Sequence, residues 1–385
     1  MKHYLFKQKL LRSGVIILAL VIILSILAMS CTSSPTPTQN VSPSPTPVST
    51  TTTTPAPTET SAVQPIIIRL APTTTGPPPA MGITLIATEM ARILEERTDG
   101  RIKFEIYWSE SLAKGTEMVN AVQTNIANMA YLRTFAEPGK MPLSTVGELP
   151  GLYTNDWVGN SAYTDLIHQE PILSEMKKYN MKPLYTFGIL QQQLMCNKPI
   201  RSLDEAKGVK IAASGVAAKV WDQMGATVLS MSPVEQYEAL SRGTIDAISV
   251  PKDAIKTFKF YEAGKYFVDI YTVPRLHPVV FNQGFWDSLP PDIQKIITDS
   301  IPDLVTSAYD AQNIQTAGVA WQEIQASGAE IIKWSDADVA RVNAVLNEYS
   351  NTWASDMDAK GLPGTQLLND YKAAVAKYEP LNPFK

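Results

Sequence analysis

The stretch GVKIAASGVAAKVWDQMGATVLSMSPVEQYEALSRGTIDAISVP, residues 208–251, decides how this chain folds. Its apolar runs Val209–Ala213 and Ile245–Val250 are rich in β-branched residues and bounded by Gly, Ser and Pro, which reads as two strands. Two helices lie between them. The first carries Val216, Val220 and Met224 on one face and stops at Gly225. The second starts at Ser232, with Pro233 at its first position and Glu235 completing a capping box, and it ends at Gly243. Strand, helix, strand, helix, strand is the rhythm of a parallel α/β sheet. Ligands of such sheets sit beyond the carboxyl ends of the strands, here Ala212–Gly215 and Ser249–Pro251.

The same rhythm extends toward the N-terminus. Ile66–Leu70 reads as a first strand, followed by a loop of hydroxyls and prolines in which Thr73 and Thr74 are placed to donate hydrogen bonds to a ligand. A helix is expected over Met81–Arg97, a strand over Ile102–Trp108, a helix from Thr116 to about Ile126, and a strand over Asn128–Leu132. Arg133-Thr-Phe follows directly at that last strand's carboxyl end. Leu149–Trp157 reads as an aromatic-anchored loop and Asp165–Lys178 as a helix. Met181–Asn197 and 264–283 are long extended runs, as two connections between α/β lobes require. Beyond Phe285 the pattern is helical: one long helix over Ile293–Trp321, another over Asp336–Met357, and a last over Gln366–Tyr378.

Residues 1–31 stand apart. Lys2, Lys7, Lys9 and Arg12 precede the apolar run Val15–Leu27, and Leu27-Ala-Met-Ser-Cys31 reads as a lipoprotein cleavage box with Cys31 as the acylated residue, although Ala28 stands where Leu is usual. The alternative is an uncleaved anchor, since 10–29 just reaches the ~20 residues that span a bilayer. Either way the body lies outside the cytoplasm, tied to a membrane. Thr32–Pro65 is a Ser/Thr/Pro tether that cannot bury enough surface to order itself. Its 34 residues reach from ~30 Å as a coil to ~100 Å extended.

The remaining 320 residues suffice for two domains. Without the four basic residues of the leader, 29 basic residues face 37 acidic ones, a net charge near −8 with no basic block, which argues against a nucleic-acid partner. Cys196 is the only cysteine after Cys31, so no disulfide closes within the body. His3, His168 and His277 have no metal-ligand spacing, and no nucleophile elbow, P-loop or H-E-x-x-H occurs. No residue pattern here supports an enzyme, and none calls for a metal or cofactor.

Five segments, EERTDGRIKFEIY (95–107), EMVNAVQTNIANMA (117–130), KPIRSLDEAKGVKI (198–211), YEALSRGTIDA (237–247) and FNQGFWDSLP (281–290), occur in the order found in one family. From Ile66 to about Leu304 the chain resembles the DctP-type solute-binding proteins of tripartite ATP-independent periplasmic (TRAP) transporters. The resemblance implies an α/β, two-lobe periplasmic-binding-protein-like (type II) fold with hinge strands and long C-terminal helices. The first lobe would span 66–190, completed by parts of 280–385; the second would span 191–275; and 276–385 would supply a hinge strand and bracing helices. It implies closure of the lobes on one small-molecule solute, delivered to integral membrane permease subunits. A binding protein for an ABC permease or a sensor, or an extracytoplasmic lipoprotein enzyme, are the other readings.

The family's site residues carry over only in part. Relatives place an arginine that grips the ligand carboxylate after the K-G-x-K-I run; this chain has Ala212. A second family arginine falls in Gly188-Ile-Leu-Gln-Gln-Gln193, and Ala247-Ile-Ser-Val250 stands where relatives have polar groups, whereas Asn282, Phe285 and Trp286 match. A carboxylate buried without a partner costs several kcal/mol, so another cation must replace the missing clamp. Arg133 and Arg275 are the candidates. Otherwise the ligand carries no carboxylate and is held by Gln191, Gln193, Ser214 and Ser249, with Trp108 and Tyr153 as aromatic walls.

Overall fold

The computed structural model of the chain describes residues 64–72 and 82–384. Cys31, Thr73 and Thr74 lie outside the described residues.

Two sheets organise the body. In the first, β1 (Ile66–Ala71) pairs in parallel with β2 (Ile102–Ile106) and β3 (Met129–Tyr131). β4 (Met181–Ile189) lies at the far edge, and β10 (Arg275–Asn282) runs antiparallel between it and β3, giving the order β2-β1-β3-β10-β4. The second sheet has the order β11-β9-β5-β8-β6-β7, built from β5 (Gln193–Cys196), β6 (Lys210–Ala212), β7 (Thr227–Leu229), β8 (Ala247–Val250), β9 (Tyr266–Val268) and β11 (Glu330–Ile332). The parallel strands β6, β7 and β8, with helices Val216–Gln223 and Pro233–Ser241, realise the pattern of residues 208–251. Ser232 and Glu235 form the expected box: the Glu235 N–H donates to Ser232 Oγ and the Ser232 N–H donates to Glu235 Oε2 at 2.7 Å. Gly225 and Gly243 follow their helices at φ 86° and 71°, conformations that only glycine adopts cheaply.

Helices cover both faces of each sheet, so the strands are apolar on both sides. Helix Ile83–Arg97 turns Ile86, Met90 and Leu94 onto one face of the first sheet, beside helix Ile301–Tyr309. Each such fully buried side chain contributes about 1.5–3 kcal/mol. Helices Met118–Gln123, Asp156–Ile167 and Gly364–Tyr378 cover the other face. The single lobe expected from 208–251 is thus paired with a second, in a two-lobe α/β fold.

Three sequence expectations change in detail. The run Met181–Asn197 breaks at Leu190–Gln192, so that β4 and β5 belong to different sheets. The helix expected over Asp165–Lys178 is two helices, Asp156–Ile167 and Ile172–Lys178. The first of these begins at Asn155, whose side chain accepts from the Trp157 N–H at 2.8 Å. Ten of its twelve residues are buried, so it has no polar stripe and no helical periodicity to read. The helix expected over Ile293–Trp321 stops at Asp299, restarts at Ile301 ahead of Pro302, and widens into a π-helical segment, Asp310–Thr316, before continuing as Ala317–Ala326. That widening falls where the chain passes from the first lobe's helices to helix Lys252–Thr257 of the second. Helix Asp336–Ala359 makes another crossing, packing on Val216–Gln223 and on Gly364–Tyr378.

Candidate functional site

Two segments cross between the sheets side by side, Leu190–Gln192 and Asp269–Pro274. They are hydrogen-bonded to each other: the Thr272 N–H and Oγ1–H both donate to the Gln192 carbonyl, at 3.2 and 3.1 Å. Ser249 Oγ donates to Gln192 Oε1 at 3.1 Å and accepts from Trp221 Nε1–H at 2.9 Å, tying the second sheet to the crossing. Ser249 and Gln192 are buried, so this chain of donors and acceptors is internal.

The glutamines expected to meet a ligand are engaged elsewhere. Gln191 Nε2 donates to Asp156 Oδ1 at 3.1 Å, and Gln193 Nε2 donates to Asp269 Oδ1 at 2.9 Å. Beside them stands Lys252, the first residue after the β8 strand end and its Pro251. Its ammonium lies 4.9 Å from the Trp321 ring centre, 5.6 Å from Tyr271 and 5.8 Å from Phe267. Burial lowers its pKa, opposed by Asp269 and Asp156. Burial in turn pushes Asp156 up to about 6, opposed by Gln191, Lys252 and Asn313. This cluster joins first-lobe, crossing and second-lobe residues.

Tyr153 leaves the candidate site. It is only 8% exposed, packs in the first-lobe core 6.5 Å from Tyr371, and lies so close to Gly159 that a Cβ there would fall 2.3 Å from its ring. Trp108 is half-buried against the core on the other face of the first sheet. Ser214 is exposed beyond the end of β6, and Ala212 at that end is fully buried.

The two arginines do come together. Arg133 follows β3, and Arg275 opens β10, which runs antiparallel to β3; Val279 pairs with Tyr131, so Arg275 reaches past the β3 carboxyl end. The positive charge of Arg133 reinforces burial in lowering the pKa of Arg275, while Glu148 opposes both. Arg133 Nη1 lies 3.5 Å from Glu110 Oε1, a loose ion pair. The Arg275 side chain makes no hydrogen bond or ion pair with any described residue; its guanidinium lies 5.1 Å from the ring centre of Phe135, which is 38% exposed. A half-buried guanidinium with open donors beside an exposed ring is suited to hold a planar anion by two parallel charge-assisted hydrogen bonds.

Sequence reasoning named Arg133 and Arg275 but missed two neighbours. Phe135 was visible as the third residue of Arg133-Thr-Phe. Glu148 gives no local signal, lying in a short 3₁₀ turn, Leu143–Glu148. It is 4% exposed, accepts from Thr134 Oγ1–H at 2.7 Å, and is pushed by burial up to about 7, against Thr134, Arg275 and the Phe135 N–H. His277 is buried behind them. Its Nδ1–H donates to the Leu132 carbonyl at 2.9 Å, its ring stacks on Phe187, and burial lowers its pKa to about 3, which keeps it neutral.

A solute-binding protein of Albidiferax ferrireducens is 24% identical over 289 residues, 74% of this chain and 83% of that relative. The monocarboxylate 2-oxoacid-binding periplasmic protein of a Nostoc species is 26% identical over 274 residues, 68% of this chain and 73% of the relative. Among solved structures, a TRAP periplasmic solute-binding protein from Desulfovibrio salexigens in an open complex superposes with a TM-score of 0.75 at 25% identity, covering 83% of this chain and 99% of that one. A TRAP solute-binding protein from Rhodoferax ferrireducens in complex with benzoate gives 0.70 at 20% identity, covering 82% and 99%. The model of bacterial extracellular solute-binding protein family 7 (DctP) matches residues 78–356, and the chain belongs to that family, the solute-binding proteins of TRAP transporters.

Proposed function

We propose that the solute this protein carries to its TRAP-type membrane partner is a small organic acid, its carboxylate docked on Arg275 and Arg133 and its body against Phe135. The observation that carries this reading is the half-buried Arg275 guanidinium, which no described side chain engages by hydrogen bond or ion pair. The benzoate held by the Rhodoferax neighbour and the 2-oxoacid named for the Nostoc relative are compatible with it. A neutral polar solute held by Gln191 and Gln193 is disfavoured, because both amide nitrogens already serve Asp156 and Asp269.

The protein is read as a carrier and not an enzyme. The buried Cys196 thiol has its pKa pushed up by burial, and His168 and His277 are each tied to a backbone carbonyl. It is held at the outer face of the cell membrane by acylated Cys31, and Cys31→Ser is expected to abolish incorporation of a labelled fatty acid.

A thermal-shift screen of the full-length protein tests the solute. Aromatic acids, hydroxy acids and 2-oxo acids are expected to raise the midpoint, by ligand binding to the folded state alone, while amides and polyols leave it unchanged. No stabilisation by any acid overturns the reading.

A further inference from the structure

The cations at the candidate site are nearly matched by anions, and the match rests on one residue. Arg133 and Arg275 supply two positive charges; Glu110, beside Arg133, and Glu148, facing Arg275, supply two negative ones. With Glu148 ionised, the group is close to neutral and offers a solute anion little net attraction. With Glu148 protonated, one positive charge is left over. Glu148 is placed to make that change without moving: Thr134 Oγ1–H holds one carboxyl oxygen, the Phe135 backbone lies beside it, and burial keeps water from screening its charge.

Of the other ionisable groups around Glu148, two tyrosines and a histidine stay neutral. Tyr163, from helix Asp156–Ile167, and Tyr349, from helix Asp336–Ala359, both face it and have raised pKa values. Glu175, beyond Tyr163, is also pushed up by burial, against hydrogen bonds from the Leu143 and Ser144 backbone N–H groups and from Ser144 Oγ–H. His277, on β10, stays neutral.

Resting on the organic-acid reading, we propose that Glu148 is the proton-coupled carboxylate of this site: it takes up a proton as the solute's carboxylate docks on Arg275, so that the acid binds more weakly as pH rises. The docking anion raises the cost of a second buried negative charge nearby, so the proton enters from solvent at Glu148 and leaves no bond changed in the solute.

Benzoate, from the aromatic series, and 2-oxobutyrate, from the 2-oxo series, test this on the full-length protein. Calorimetry of the wild type at pH 7.5 in two buffers of different ionisation enthalpy is expected to show uptake of a sizeable fraction of one proton, and the affinity is expected to fall by about tenfold or more between about pH 6 and pH 8.5. In Glu148→Gln the uptake and this pH dependence are both expected to vanish. Monocarboxylate binding without proton uptake in the wild type overturns the proposal, whether or not the variant folds. So does an unchanged pH dependence of binding in a folded Glu148→Gln. If no acid of either series binds the wild type, the organic-acid reading itself fails and takes this one with it.

Discussion

Replacing Glu148 with Gln keeps the shape of the side chain and an oxygen for Thr134 Oγ1–H, and removes a buried charge, so its effect on stability can be worked out. The folded-state pKa is raised from 4.5 to about 7 by burial. A group with a raised folded pKa contributes stability that is fully present below its unfolded value and is lost as pH rises through the folded value. For Glu148 the loss runs from about pH 4.5 to about pH 7. A shift of that size corresponds to about 3 kcal/mol of folding free energy above neutrality. Asp156, raised from 3.8 to about 6, adds a slope of the same sign to both proteins and cancels in their difference. Denaturant unfolding at pH 5 and pH 8 reads the effect. Wild type and variant are expected to be close at pH 5, with the variant ahead by roughly 3 kcal/mol at pH 8. A difference between them that does not change with pH refutes the reasoning, because it means that the carboxyl titrates at its ordinary value or reaches water.

Further outcomes follow from named contacts. Arg133→Ala is expected to weaken organic-acid binding more than tenfold, about 1.4 kcal/mol; unchanged affinity by calorimetry would leave Arg275 as the sole anchor. Ser249→Ala strands Trp221 Nε1–H and Gln192 Oε1, both buried, and is expected to cost about 1–3 kcal/mol in denaturant unfolding; no loss would mean that water replaces the hydroxyl. Gly364→Ala would set a Cβ 2.3 Å from the Ala354 carbonyl oxygen, a backbone atom that cannot rotate away, with an expected loss of about 1–3 kcal/mol or more. A melting temperature equal to the wild type's would show that the two helices separate freely.

Much of this protein was legible from local chemistry. Caps, breakers and β-branched runs act over a few residues, so Ser232, Pro233, Glu235, Gly225 and Gly243 bounded the second lobe's helices where the structure has them. The ordered segments from Glu95 to Pro290 identified the family. Helix Asp156–Ile167 escaped because it is buried nearly all round, and burial on every side erases the polar stripe that marks a helix in sequence.

The candidate site divides along the same line. That Arg133 and Arg275 stand at strand ends follows from sequence, and so does the absence of the family's arginine at Ala212. Which groups face them does not. Arg275 and Glu148 are far apart in the chain, and only the antiparallel pairing of β10 with β3 and the turn at Leu143–Glu148 bring them together. Gln191 and Gln193 looked free as letters and prove to be engaged, because the crossing segments set Asp156 and Asp269 against them. Local patterns determined the α/β fold, and the resemblance carried by the five ordered segments determined the family and the loss of one clamp. The pairing of distant charges, and the burial that moves Glu148 toward neutrality, were decided by tertiary packing, because desolvation depends on everything that surrounds a group and not on its neighbours in the chain.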